Sequence, residues 1–279
     1  MLNLLLALIA GLLFPLAFAP YDLWPLLFVS LALAYWCQHR APTPRRALLT
    51  GWVYGLGMFG FGVSWLHVSM TDYGFMPLWM AIPFTGAFAA LMALFHGLTF
   101  WLTRRLGGGA LMFAGAWLLL DWVRGWLLTG FPWLYSGYAL VDTPLAGLAP
   151  LGGIWAMTLA AVVLSATVVA LIEQRGRAAG PLLVSVVAIL AALAGGQLSF
   201  TQPSGERQQV ALVQGNIPQD LKWLATMREE TRDIYAGLTD GLPGDTLVIW
   251  PESAMIEFYQ DIRGFVDSEG EAVAAKGGA

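Results

Sequence analysis

Charge is what this sequence lacks most. Only 11% of its 279 residues are Asp, Glu, Lys or Arg, while 58% are hydrophobic. Soluble domains carry roughly 25% charged residues, so most of this chain does not face water. Cysteine is nearly missing too. The one thiol, Cys37, excludes an intramolecular disulfide and any cysteine-based metal cluster. The three histidines (His39, His67, His96) are scattered without metal-ligand spacing, and no metal or other cofactor is expected. No nucleic-acid motif or basic patch is present, so nucleic acid is not an expected partner. The little charge there is divides unevenly. Residues 1–200 carry a net +3 and residues 201–279 a net −7. That shift marks a boundary between a membrane part and an acidic, water-soluble part.

What the chain has instead is apolar segments. Seven precede residue 200, at roughly 3–19, 23–38, 49–70, 77–102, 110–128, 151–173 and 181–198. A helix crossing a bilayer core of about 30 Å needs about 20 residues, so the first two are short. The expected architecture is a multi-pass α-helical membrane domain over 1–198 with about seven transmembrane helices. A linker at 199–208 and an α/β part over 209–279 follow. A signal peptide ending at Ala17-Phe18-Ala19 is rejected, because no Lys or Arg precedes its apolar run.

Arginines orient the segments. Arg40, Arg45 and Arg46 follow the second, Arg104 and Arg105 the fourth, Arg175 and Arg177 the sixth. The alternate loops (19–22, 71–76, 129–150) hold no Lys or Arg. The positive-inside rule then puts the N-terminus in the cytoplasm and residues after the seventh segment outside, which for a bacterial inner membrane is the periplasm.

Within the segments, glycines 51, 55, 57, 60 and 62 read as close helix packing. Pro83 predicts a kink. Asp121 and Arg124 are spaced i, i+3 and can pair along one helix face. Either they form an intrahelical pair that fixes packing, or Arg124 binds a lipid headgroup near the outer leaflet. The 129–150 loop, with Phe131, Trp133, Tyr135 and Tyr138, reads as an interfacial aromatic belt or as a lid-like element.

After the linker, Gln209–Val213 reads as a strand and 219–238 as an amphipathic helix carrying Leu221, Leu224, Met227, Ile234 and Leu238. Leu247–Trp250 reads as a second strand, stopped by Pro251, which has no N–H to donate. A parallel β-α-β unit with a right-handed crossover follows. It places Asn216 and Glu252 at one strand edge, where open α/β sheets bind ligands. A helix is expected over about 260–276, and a third strand at Gly277-Gly278-Ala279.

Five stretches resemble the apolipoprotein N-acyltransferases: FAPYDLWPL (18–26), GFGVSWLHVS (60–69), DWVRGWLLTGFPWLYSGY (121–138), VALVQGNIPQDLKW (210–223) and VIWPESA (248–254). The resemblance implies a bacterial inner-membrane enzyme with a periplasmic nitrilase-like (carbon–nitrogen hydrolase) domain. Its reaction moves an acyl chain from a phospholipid, through a cysteine thioester, to the α-amine of a diacylglyceryl-cysteine at the N-terminus of an apolipoprotein. The implied triad is Glu, Lys and Cys. Glu252 matches the glutamate, a general base that activates the nucleophile.

Trp223 matches a tryptophan near the family's active site, with core packing as its structural alternative. Asn216, Trp223 and Arg124 are the candidate substrate-binding residues. The family's lysine and cysteine lie downstream of the glutamate, whereas this sequence has 27 residues after Glu252, and there only Lys276. Cys37 falls near the cytoplasmic side, so the expectation is an N-terminal fragment, acting as a monomer and inactive alone. A membrane-tethered amidase and a non-catalytic membrane protein or transporter are the alternatives. The aromatic loop and Arg124 argue against the first, and the absence of repeats argues against the second.

Overall fold

The computed structural model describes every residue except 174, 175, 177 and 200. Arg175 and Arg177, which enter the orientation argument, therefore lie outside the described residues. The chain is mostly helical and forms two compact units, Met1–Phe200 and Thr201–Ala279.

In the first unit every apolar segment is helical. They are α1 (Leu2–Leu13), α2 (Pro25–His39), α3 (Pro44–Gly62), the short α4 (Leu66–Val68), α5 (Leu78–Arg105), α6 (Ala110–Arg124), α7 (Ala149–Glu173) and α8 (Ala179–Gly195). Their ends follow local chemistry. Thr43 caps α3 by accepting from the Arg46 N–H at 3.3 Å, and Pro44 takes the first helical position, where its missing N–H costs nothing. Gly107 and Gly108, both with positive φ, end α5 just after Arg104 and Arg105, whose charge suits the carboxyl end of a helix dipole.

Among the described residues two helices are long and apolar enough to cross a membrane, Leu78–Arg105 and Pro144–Glu173. The second bends at Gly152–Gly153, where φ +58 at Gly153 needs a glycine. α3 and the stretch Leu66–Tyr73 pass the same length and composition test only when taken together, and a 53° bend separates them, as in a broken span or a re-entrant loop. That stretch ends in a π turn, Ser69–Tyr73.

α3 is the centre of this unit, and its glycines face two ways. A methyl group at Gly57 would meet the Leu8 carbonyl of α1, and one on α1's Gly11 would meet the Tyr54 carbonyl of α3. On the other side, Gly51 meets the His96 carbonyl and Gly55 the Ala93 Cα of α5. These glycines pack as the sequence suggests. Gly60 does not, because nothing lies within 4 Å of where its Cβ would be. Around this seam sits an aromatic cluster of Phe14, Tyr54, His96, Phe100, Phe113 and Trp117. The Ser30 hydroxyl donates to the Ala10 carbonyl at 2.7 Å and shares a hydrogen bond of 2.9 Å with the Tyr54 hydroxyl. Cys37 is buried on α2.

The second unit is a small α/β fold. β1 (Gln209–Leu212) and β2 (Thr246–Ile249) pair in parallel, with Leu212 opposite Ile249. Beyond β2 comes α11 (Tyr259–Ala275). Ala279 then lies along β2 on its other side, donating to the Thr246 carbonyl at 3.1 Å and accepting from the Val248 N–H at 2.8 Å. Those are strand-type bonds at the place where the sequence predicts a third strand.

The expected single helix over 219–238 is two. α9 (Gln219–Lys222) ends at Trp223, Leu224 is extended, and α10 (Arg228–Asp240) begins anew. Glu229 and Glu230 in the first turn of α10 favour a helix start there. The buried face of α10 is also not the leucine stripe. It is Thr231, Tyr235 and Thr239, at i, i+4 and i+8, while Leu221, Leu224 and Leu238 are exposed. One face of the sheet packs on α10 and α11 through Val248 and Trp250, and the opposite face leaves Val210, Leu212 and Ile249 exposed.

Gly11→Ala should destabilise the membrane unit by about 1–3 kcal/mol, because backbone must move to admit the methyl group. Gly115→Ala, where nothing lies within 4 Å, should instead leave stability unchanged or raise it by up to about 1 kcal/mol. Unfolding midpoints of the detergent-solubilised chain distinguish the two signs.

Candidate functional site

The Glu252 carboxylate is carried by a turn built on the end of β2. The Ala254 N–H donates to the Pro251 carbonyl at 3.1 Å, closing a four-residue turn with Glu252 at its second position. The third position, Ser253, has φ +55, the left-handed conformation that a type II turn demands there. A serine in that region is uncommon and is held by its surroundings. Glu252 is exposed and, among the described residues, has no hydrogen-bond or ion-pair partner.

What holds the turn is Trp250. Its indole N–H donates to the Thr239 hydroxyl at 3.0 Å, and its ring lies 5.2 Å from Tyr235 and 6.1 Å from Phe265. Tyr235 also supports the exit of β1, since a Cβ on Gly215 would sit 2.9 Å from its ring. One buried tyrosine on α10 thus sets the height of both strand exits. Asn216 follows at the carboxyl end of β1, exposed and with φ +50. A buried Glu257, paired with Arg232 of α10, ties down the chain beyond the turn. Behind the sheet, a cavity of about 250 Å³ is lined by Thr239, Trp250 and Glu269 among others. Burial, and then the nearby Asp240, raise the Glu269 carboxyl above its usual range.

Of the four candidate residues, then, Glu252 and Asn216 come together at the carboxyl ends of paired strands. Trp223 ends α9, seven residues after Asn216, and is 58% exposed, so it does not pack in the core of that helix. Arg124 belongs to the first unit, where both terminal nitrogens are engaged and the buried Nε has no partner among the described residues. One of its terminal nitrogens pairs with Asp121 at 2.9 Å, and the other donates to the carbonyls of Phe131 at 2.7 Å and Trp133 at 2.6 Å. Its guanidinium lies 4.4 Å from the Tyr135 ring centre. It fastens a loop that holds four residues with positive φ: Leu128, Thr129, Gly130 and Leu134. Beside it, an apolar cavity of about 650 Å³ is lined by Leu66, Met70, Phe88, Met92, Leu127 and Phe131, with Arg124 at its wall.

Residues 10–167 match the model of the apolipoprotein N-acyltransferase N-terminal domain. The chain belongs to the apolipoprotein N-acyltransferase family. Proteins named apolipoprotein N-acyltransferase are similar to it throughout. That of Azotobacter vinelandii is 44% identical over 264 residues, 90% of this chain and 51% of the relative. That of Methylococcus capsulatus is 39% identical over 270 residues, 93% and 53% respectively. That of Pseudomonas syringae pv. tomato is 40% identical over 286 residues, 99% and 56%. The chain spans about half the length of the curated relatives it matches.

Tyr235, Thr239 and Arg232 were not legible as site residues. The only local signal was their shared spacing on α10, hidden by more hydrophobic neighbours. Arg124→Gln should cost about 3–5 kcal/mol, the usual penalty for removing one partner of a buried ion pair. It should also speed proteolysis within 126–135. Replacing both partners, Asp121→Asn with Arg124→Gln, should recover part of the stability. A thermal melt and limited proteolysis of the solubilised chain check both outcomes.

Proposed function

We propose that this chain serves phospholipid-to-lipoprotein N-acyl transfer, with Glu252 as the general base. The observation that carries the reading is a partner-free carboxylate held on a strained turn at the carboxyl edge of a parallel strand pair, in a member of this family. Glu252 accepts the proton of a cysteine thiol. The thiolate then attacks the acyl carbonyl of a phospholipid, a thioester forms, and the lysophospholipid leaves as an alcohol, its oxygen taking back the proton from Glu252. Next, Glu252 accepts the proton of the α-amine of a diacylglyceryl-cysteine as that nitrogen attacks the thioester, and the thiol is released. Asn216 and Trp223 flank the edge as substrate contacts.

Cys37 is buried on α2 in the other unit and is not the nucleophile. Cys37 is the one cysteine of these 279 residues, so none of them supplies the thiol of the proposed reaction. The second unit is the opening β-α-β-α part of a nitrilase-like domain, and the parallel register and the strand-type bonds of Ala279 support that assignment. The seven apolar helices are seven crossing segments in a bacterial inner membrane, with the N-terminus cytoplasmic, Glu252 periplasmic and the chain monomeric. Arg124 acts on substrate only indirectly, by shaping the wall of the apolar cavity, whose lining suits an acyl chain.

The test is a hybrid in which residues 1–279 replace the matching part of the Azotobacter relative. N-acylation of a diacylglyceryl lipoprotein should proceed in the hybrid and fall about 10²–10⁴-fold with Glu252→Gln, the usual contribution of a general base. Activity retained by Glu252→Gln would overturn the assignment.

A further inference from the structure

Beyond the paired strands, the ladder no longer sets the distance between Asn216 and Glu252. The last bond between the two strands runs from the Val213 N–H to the Ile249 carbonyl at 3.0 Å. Past it, among the described residues, no backbone hydrogen bond joins 214–218 to 250–256. Asn216 and Glu252 both lie on these unbonded exits, and each exit includes left-handed backbone, at Asn216 and at Ser253. A general base on such an exit needs its spacing fixed from elsewhere.

Tyr235 of α10 lies between the two exits. It is 5% exposed and forms one cluster with Val213 and Ala254, against which Ile217, Trp250 and Met255 pack. Val213 and Ile217 bracket Asn216 in the chain, and Trp250 and Ala254 bracket Glu252. On the side of the first exit, a Cβ on Gly215 would sit 2.9 Å from Tyr235 Cε2 and 3.0 Å from its Cζ. Gly215 is not in left-handed backbone, so it is the ring, and not the chain conformation, that requires glycine there. On the side of the second exit, the Trp250 ring centre is 5.2 Å away, and the Trp250 indole is held in turn by Thr239, one turn further along α10. Among the described residues the Tyr235 hydroxyl makes no hydrogen bond, so the ring itself does the spacing. An aromatic ring closed in on both sides is a spacer of fixed thickness.

We propose that Tyr235 is a positioning residue for acyl transfer: its ring, held between Gly215 and Trp250, fixes the spacing of Asn216 and Glu252. The proposal deepens the reading of Glu252 as general base and rests on it. Tyr235 acts through the two backbone exits and not on the reacting atoms. A displacement of about 1 Å at a catalytic group can cost about 10²-fold in rate, so the thickness of one ring is enough to matter.

The experiment uses the hybrid that carries residues 1–279 in the Azotobacter relative. Tyr235→Leu should lower kcat about 10²-fold with KM for the lipoprotein acceptor nearly unchanged, the mark of an interaction realised in the transition state. Tyr235→Phe, which keeps the ring, should restore turnover. Gly215→Ala should also lower kcat, because the added methyl group pushes the ring toward Trp250. The double variant, Gly215→Ala with Tyr235→Leu, should lose less than the product of the two single losses, since the smaller side chain makes room for the methyl group. Ile262→Ala, which truncates a buried side chain of α11 outside this cluster, should lower the unfolding midpoint and keep kcat. Turnover that merely follows the unfolding midpoint across these variants, or single losses that multiply in the double variant, overturns the positioning role. If Tyr235→Leu does not fold, Gly215→Ala decides alone, and an unchanged kcat overturns the role. Activity kept by Glu252→Gln overturns the general-base reading itself, so the two failures are distinct.

Discussion

A guanidinium with no access to solvent governs the first unit. Arg124 sits at the end of an apolar helix, and a buried charge without compensation costs several kcal/mol. Asp121, one turn back, cancels the charge but leaves donors unmet. The carbonyls of Phe131 and Trp133 satisfy one terminal nitrogen, leaving only the Nε without a partner among the described residues, and both lie on the loop that follows α6. To deliver those two carbonyls the loop must turn back sharply, which puts Leu128, Thr129 and Leu134 in left-handed backbone. Each such residue costs of order 1–3 kcal/mol, so the strain persists because the ion pair needs that path. Phe131 then lines the apolar cavity and packs edge-on against Phe88. Charge compensation, loop shape and cavity wall are one arrangement.

Around it, backbone contact does what side-chain interdigitation does in a soluble core. With lipid outside, helices gain little by burying apolar surface against each other, and close van der Waals approach becomes decisive. Gly11 and Gly57 bring α1 onto α3, and Gly51 and Gly55 bring α5 onto its other side. The same residue type does the opposite at Gly60 and Gly86, where a missing side chain leaves a groove. Glycine content alone does not separate the two uses; only the neighbouring helix does.

The apolar helices were legible because length and hydrophobicity are properties of a single segment. The strand end that carries Glu252 was legible for a similar reason: a short β-branched run, a proline stop and a carboxylate are all adjacent in sequence. What escaped depends on distant partners. The break between α9 and α10 rests on an extended Leu224 with no glycine or proline to announce it. The core face of α10 is Thr231, Tyr235 and Thr239, because two small side chains and one ring fit beneath a two-stranded sheet where a leucine stripe does not. Arg124 was open between packing and ligand binding, and only the loop carbonyls, seven and nine residues away, show where its hydrogen bonds go.

The orientation proposed from the arginine loops puts Glu252 on the outer side of the bilayer. Cys37 is buried, so a cysteine placed by Ser204→Cys in the exposed stretch before β1 is the one reactive thiol. Spheroplasts expressing this variant should be labelled by a membrane-impermeant maleimide without lysis, to the same extent as after permeabilisation. Labelling that appears only after permeabilisation would place Glu252 in the cytoplasm and contradict the account.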